Sequence, residues 1–469
     1  MKYISTRGGM APQSFSDILL EGLAPDGGLA IPEQLPQVDA ATLESWRGLS
    51  YADLAFEVLS LFATDIPAED LRGLTRAAYR QGVFKSEDIV PVRELGQGLQ
   101  LLGLSEGPTL AFKDMAMQFL GQVFEYVLTR RGTTLNIVGA TSGDTGAAAI
   151  EAFRGRSAVD VVILFPDGRV SPVQRRQMTT PADANVHALA VAGTFDDCQA
   201  IVKALFNDHG FRDRVALAGV NSINWARIVA QVVYYFVAAV ALGAPHRKVS
   251  FTVPTGNFGD VFAGYVAARM GLPVETLVVA TNVNDILVRT LDEGRYELRA
   301  VTATQSPSMD IQVSSNFERL LFEEVGRDGA AVERMLAGLG QSGAFTVPPE
   351  ALAGLRAGFR AGRTDEAATR ATIARTHARC GYLLDPHTAV AVAVAEQHLD
   401  PRTPMVTLAT AHPAKFPDAV AAATGTHAAL PPRLADLMER PERVTPVAAE
   451  AAAVAAFIAA NSRAVAAEV

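Results

Sequence analysis

"TLNIVGATSGDTGAAAIEAFRG", residues 134–155, decides the class of fold. An apolar run from Leu135 to Ala140 gives way, at a turn of hydroxyls and glycines, to an Ala-rich segment that stops at Arg154 and Gly155. A short continuous apolar run of this kind predicts a strand covered on both faces, and the segment after the turn predicts a helix. The same succession recurs outward from it: "VDVVILFP" follows, "NVHALAVAG" precedes "FDDCQAIVKALFND", "KVSFTVP" precedes "GDVFAGYVAARMG", and "ETLVVATN" precedes "NDILVRTLDEG". The alternation predicts an α/β protein with open, doubly wound, mostly parallel sheets, which bind ligands at the carboxyl ends of their strands.

The flanks read differently. Residues 1–95 are rich in Pro, Gly and polar turns and predict a small amino-terminal domain; 96–430 predict the α/β region, in two subdomains; 431–469 predict an Ala-rich terminal helix or tail. A chain of 469 residues, 49% hydrophobic and 19% charged, is long enough for two or three domains. Its formal net charge of -9 leaves no basic footprint for nucleic acid. "IVAQVVYYFVAAVALGA", from Ile228 to Ala244, approaches membrane-spanning length, but Gln231 interrupts it and no aromatic belt or basic flank bounds it, so a buried helix and no membrane partner are expected. The opening "MKYISTRGGMAPQSFSDILLEG" has neither signal-peptide nor transit-peptide pattern and predicts a cytoplasmic protein. Cys198 and Cys380, far apart and in no metal-ligand spacing, predict two buried thiols and no metal.

Three strand-to-helix junctions concentrate the polar residues. In "VPTGNFGDVFAGYV", Thr255, Gly256, Asn257, Phe258 and Gly259 precede a helix beginning near Asp260, and bare backbone N–H groups at a helix head suit a phosphate. No G-x-x-x-x-G-K-[ST] pattern occurs and the first βα turn lacks G-x-G-x-x-G, which weighs against nucleoside triphosphates and dinucleotides. In "GATSGDTGAAAI", the turn Thr141 to Gly146 offers hydroxyls and amides to a carboxylate or a second phosphate, although Asp144 or Thr145 reads equally well as a helix N-cap. In "TLATAHPAKFPDAV" a strand near Met405 to Ala409 delivers Thr410, His412 and Lys415; the alternative is a proline-bounded loop with a solvated lysine.

Lysine is scarce. Lys2, Lys85, Lys203 and Lys248 fall at a terminus, in a polar turn, on the wet face of a helix and before a strand, so Lys113 and Lys415 are the two with a plausible buried setting. Lys113 sits among Leu110, Ala111, Phe112, Met115 and Ala116. Such surroundings disfavour the ammonium and make the amine a usable nucleophile towards an aldehyde, unless the side chain simply snorkels to water. An amine of this kind, a glycine turn for one phosphate and a second anion-binding turn together suggest pyridoxal phosphate.

Longer motifs give a family resemblance. "YISTRGG", "DGGLAIPE", "GPTLAFKDMAMQFLG", "GATSGDTGAAA", "GRVSPVQRRQMTT", "NSINWARIVAQVVYYF", "PTGNFGDVFAGYVA" and "ATAHPAKFPDAV" closely resemble the threonine synthase family in its longer form, among the tryptophan-synthase-β-like (fold type II) pyridoxal phosphate enzymes. The resemblance ends near Arg433. It implies a lyase that converts O-phospho-L-homoserine and water to L-threonine and phosphate. Matched to the motifs, it implies that Lys113 is the Schiff-base lysine, that Gly256, Asn257, Phe258 and Gly259 hold the cofactor phosphate, and that Thr410 faces the pyridine nitrogen. Ser142, Gly143, Asp144 and Thr145 fall to the substrate carboxylate, although Asp144 carries the wrong charge for that task. Asn224 or Asn221 is the candidate for the cofactor's ring oxygen, and Lys415, Arg227 and Arg176 for the substrate phosphate. A dehydratase or phospholyase with another substrate, or a non-catalytic metabolite-binding relative, stays as the alternative.

Overall fold

The computed structural model describes residues 1–463, so the last six residues of the expected carboxy-terminal segment, 464–469, lie outside the described part. The described chain forms two compact units: one of residues 1–19, 23–107 and 222–428, the other of 20–22, 108–221 and the described residues from 429 onward.

The larger unit is built on a six-stranded sheet. Its strands run, in spatial order, Phe359–Arg363, Val274–Thr281, Val249–Pro254, Met405–Ala409, Leu99–Gly103 and Val92–Gly96. The first five are parallel, and the edge strand Val92–Gly96 returns antiparallel on Leu99–Gly103. The parallel register sets Val406 beside Phe251 and Thr407 beside Thr252, so the turns after Pro254 and after Ala409 leave the same edge of the sheet. The amino-terminal residues contribute the antiparallel pair Tyr3–Ser5 and Ala30–Pro32, and the helices Tyr51–Ser60 and Ala68–Ala78. Tyr3 and Phe62 pack their rings on the buried Trp225, at centroid distances of 6.2 and 6.0 Å.

The apolar segment beginning at Ile228 lies in the Trp225–Ala241 helix, nearly all of whose side chains are buried. Among the described residues no helix is long and apolar enough to cross a membrane. This helix packs on Gly259–Arg269, and the close approach requires a glycine: a Cβ on Gly264 would stand 2.7 Å from Tyr235 Cε1. The two helices also share a buried carboxylate, since Tyr234 and Tyr235 donate their hydroxyls to Asp260 Oδ1 at 2.5 and 2.9 Å.

The smaller unit holds a five-stranded, wholly parallel sheet in the order Thr445–Val447, Val186–Val191, Val159–Pro166, Leu135–Ala140, Leu217–Ala218. Every residue of Val159–Pro166 is buried, as a central strand covered on both faces demands. The Lys113–Arg131 helix packs on Asp144–Phe153, with Phe124 edge-on to Phe153 at 5.4 Å. The Ala-rich segment forms the helix Ala451–Asn461, which buries Val454 and Ile458 among Val162, Leu164, Ile201 and Leu205. One expectation fails: Cys198 is buried, but Cys380 is exposed, because it is the last residue of the Glu366–Cys380 helix.

Asp260 makes a test of pH dependence. Burial pushes its carboxyl up to about 6, against the pull of the two tyrosine hydroxyls. A carboxyl with a raised folded pKa binds more protons folded than unfolded, so its contribution to stability falls as pH rises from its ordinary value to about 6 and is constant beyond. Asp260→Asn removes that dependence. Its stability relative to the unsubstituted protein is expected to rise by on the order of 2–3 kcal/mol between about pH 4 and pH 6 and then to level off, measured by thermal unfolding across pH.

Candidate active site

In the smaller unit the chain enters the Lys113–Arg131 helix through a loop pinned by the helix itself. Asp114, fully buried in the first turn, accepts the Thr109 N–H at 2.8 Å and its hydroxyl at 2.7 Å, and Gln177 Nε2 donates to the Thr109 carbonyl at 3.0 Å. Leu110 takes a left-handed φ of 62°, unusual for a leucine, and its side chain is buried against Val173, Leu434 and Leu437. Lys113 follows as the first helical residue, its side chain 11% exposed.

The amine does not sit in purely apolar surroundings. Lys113 Nζ lies 3.7 Å from Asp144 Oδ2. Gln174 Nε2 holds the other oxygen, Oδ1, at 2.8 Å, and Gln174 is itself fixed in a capping box with Ser171 at the head of Pro172–Thr179. Gly143 has φ 141°, and a Cβ there would meet the Gln174 carboxamide at 2.4 Å. Thr141 Oγ1 accepts the N–H groups of Gly143 and Gly146, both at 2.9 Å. The Gly143 N–H is thereby committed to the turn, while Ser142 is exposed and Thr145 half-buried. Arg176 donates to the Arg440 carbonyl at 2.6 Å and stands 3.5 Å from Glu442, so its charge is already answered.

In the larger unit the Val249–Pro254 strand ends in the Thr255–Phe258 turn, which heads the Gly259–Arg269 helix. The turn is clamped from one side. Ser314 Oγ donates to the Gly256 carbonyl at 2.6 Å, and Asn316 donates to the Asn257 carbonyl through its backbone N–H at 3.0 Å and its Nδ2 at 3.1 Å. In a planar trans peptide the N–H points opposite the carbonyl. The Asn257 and Phe258 N–H groups therefore face away from the clamp, and among the described residues the N–H groups of Gly256, Asn257 and Phe258 have no hydrogen-bond partner. A Cβ on Gly256 would stand 2.4 Å from the Ser308 carbonyl oxygen. Bare N–H groups at the head of an eleven-residue helix, with no room for a side chain, fit a phosphate group.

Thr410, buried, follows the neighbouring strand at the same sheet edge, and Lys415, 0% exposed, follows in the short Pro413–Lys415 turn of helix whose first N–H groups His412 caps. Arg227 is buried in the Trp225–Ala241 helix, and burial pulls its pKa down to about 10. Asn224, expected near a ring oxygen, is the N-cap of that helix: Oδ1 accepts the Ala226 N–H at 3.0 Å and Nδ2 donates to the Leu19 carbonyl at 2.8 Å. Sequence reasoning missed Ser314 and Asn316, which lie 58 and 59 residues beyond the groups they hold and belong to no motif. It also missed the Lys113–Asp144 pair, although both residues stood in quoted motifs.

Known families and structures match most of the chain. The family described as "Pyridoxal-phosphate dependent enzyme" matches residues 91–411, "Threonine synthase N terminus" matches 2–79, and "Threonine synthase, C-terminal" matches 388–458. The chain is 51% identical to the threonine synthase of Pseudomonas aeruginosa over 461 residues, which covers 98% of each chain. Its fold is similar to that of the pyridoxal-phosphate-bound threonine synthase from Brucella melitensis, with TM-score 0.97 and 56% identity over 99% of this chain and 100% of that one. The yeast enzyme's structure gives TM-score 0.93 and 42% identity over 98% of both chains. Likeness of this extent, over both units and their site-bearing turns, means that the chain belongs to the threonine synthase family of pyridoxal-phosphate dependent enzymes.

Proposed function

We propose that the protein is a cytoplasmic threonine synthase that takes O-phospho-L-homoserine and water, releases L-threonine and phosphate, and uses pyridoxal phosphate. The observation that carries this reading is the amine of Lys113, presented at a helix head beside Asp144 in a chain that parallels threonine synthases from end to end. When bound, the cofactor supplies an electron-accepting ring conjugated to the substrate's Cα. Lys113 would hold the cofactor's aldehyde carbon, and its amine, when free, would be the group that accepts the substrate's α proton at Nζ and relays one from Cβ. Asp144, next to Nζ, answers the charge whenever Nζ is protonated, and Gln174 keeps that carboxylate from turning away.

The N–H groups of Gly256, Asn257 and Phe258, with Gly259 at the helix head, are assigned to the cofactor phosphate, and the Thr410 hydroxyl to the ring nitrogen. A hydroxyl cannot hold that nitrogen as a charged pyridinium, so proton transfers are left to Lys113. Ser142 and Thr145 are assigned to the substrate carboxylate, and Lys415 and Arg227 to its phosphate. Arg176 is set aside because Glu442 already faces it, Asn224 because it caps a helix, and Gly143 because its N–H is bound to Thr141.

Purified protein with pyridoxal phosphate is expected to release phosphate and threonine in equal amounts from O-phospho-L-homoserine, and no ketoacid from L-serine or L-threonine. Lys113→Ala should lower turnover by at least about a hundredfold; turnover that survives in this variant would remove Lys113 from its role. Asp144→Asn should lower kcat by about tenfold or more while leaving cofactor affinity within about threefold, as read by steady-state kinetics and cofactor titration. In Gly256→Ala the new methyl meets the Ser308 carbonyl, so affinity for pyridoxal phosphate should fall by about tenfold with circular dichroism unchanged.

A further inference from the structure

Arg319 is a wholly buried cation, 0% exposed, with no carboxylate within salt-bridge distance among the described residues. Its guanidinium donates instead to neutral oxygens: to the Ala30 carbonyl from Nε at 3.0 Å and Nη2 at 2.9 Å, to the Ile223 carbonyl from Nη2 at 2.6 Å, and to Asn316 Oδ1 from Nη1. The Trp225 ring lies 5.6 Å from it. The adjacent Glu318 forms no ion pair with it, because its carboxylate is taken by Arg7 at 3.0 Å and by the Thr6 hydroxyl at 2.6 Å, although its charge still favours the guanidinium's charged form. Burial, opposed by the nearby Glu318 carboxylate, pulls the Arg319 pKa down to about 9, and the group stays charged at neutral pH. A buried charge without a counter-ion is costly to keep, and the carbonyl dipoles offset only part of that cost.

Asn316 connects this charge to the Thr255–Phe258 turn. Its Oδ1 accepts from Arg319, and its Nδ2 donates to the Asn257 carbonyl at 3.1 Å and to the Ser222 carbonyl at 3.0 Å. An amide held at its oxygen by a cation is polarised and donates more strongly from its nitrogen. We infer that Arg319 is a positioning residue for the anion seated on the 256–258 turn: acting through Asn316, it fixes the Asn257 peptide plane and supplies the buried positive charge that a dianionic phosphate neutralises. The inference rests on reading that turn as the cofactor-phosphate seat.

The test is equilibrium titration of cofactor-free protein with pyridoxal phosphate and with pyridoxal, which lacks the phosphate. The unsubstituted protein should prefer the phosphorylated form. Arg319→Gln should reduce that preference by about tenfold or more, with the affinity for pyridoxal kept within about threefold, and Arg319→Lys should restore most of it. If Arg319→Gln does not fold, Asn316→Ser carries the test with the same expected loss, because it cuts the link while leaving the guanidinium's bonds to Ala30 and Ile223. An undiminished preference in the folded variants, or an equal loss of affinity for both ligands, would overturn the role of Arg319. Absence of any preference in the unsubstituted protein would instead overturn the assignment of the turn itself.

Discussion

The hydrogen bonds that Ser314 and Asn316 donate to the Gly256 and Asn257 carbonyls decide which way the turn's peptide planes face, and the polar character of the sheet edge follows from them. A free glycine-rich turn would sample many orientations of its N–H groups; this one is held. Its far wall is held as well. His387 Nε2 accepts the Ser308 N–H at 3.2 Å, which puts the ring proton on Nδ1, where Asp385 accepts it at 2.9 Å. The Ser308 carbonyl then stands where any side chain on residue 256 would go. Phe258 adopts a left-handed φ of 63°, which costs a bulky residue on the order of 1 kcal/mol, and its ring is kept there by Phe317 at 5.3 Å and Phe359 at 5.9 Å.

The smaller unit solves a related problem with two carboxylates. Asp114 and Asp144 each lie in the first turn of a helix, where the helix dipole favours negative charge, but their partners divide their tasks. Asp114 spends itself on Thr109 and so fixes the loop that presents Lys113. Asp144 gives one oxygen to Gln174 and turns the other to the amine. Substituting Gly143 would push on Gln174 directly, which explains a glycine at φ 141° between Ser142 and Asp144.

What the sequence reveals follows from how local each feature is. Strands such as Val159–Pro166 and the helices after them are legible because burial on both faces writes itself into a continuous apolar run. The turn at Gly256–Gly259 and the candidacy of Lys113 are legible because glycine spacing and an isolated lysine in an apolar run are local signals. The clamp is not: Asn316 reaches a carbonyl 59 residues away and Arg319 a carbonyl 289 residues away, and nothing in either neighbourhood marks them. Asn224 shows the opposite case, where a motif position that reads as a ligand contact is occupied with capping a helix. Cys380 was misjudged because a helix end, set by Gly381 at φ 71°, decides its exposure rather than its own residue type.

Cations give the remaining distinction. Arg175 and Arg176 lie one after the other in a motif that looks made for phosphate, yet Glu442 takes charge from both, and Asp167 takes more from Arg175. A pair so neutralised has little left to offer a dianion. Arg319 is the reverse case: it belongs to no recognisable motif, meets carbonyl and amide oxygens rather than carboxylates, and is sealed from water. Charge that is sealed from solvent and makes no direct ion pair acts over a longer range than charge at a surface. For binding a phosphate, then, the net charge of a cation's surroundings matters more than its place in a conserved-looking string, and that is a property of the fold.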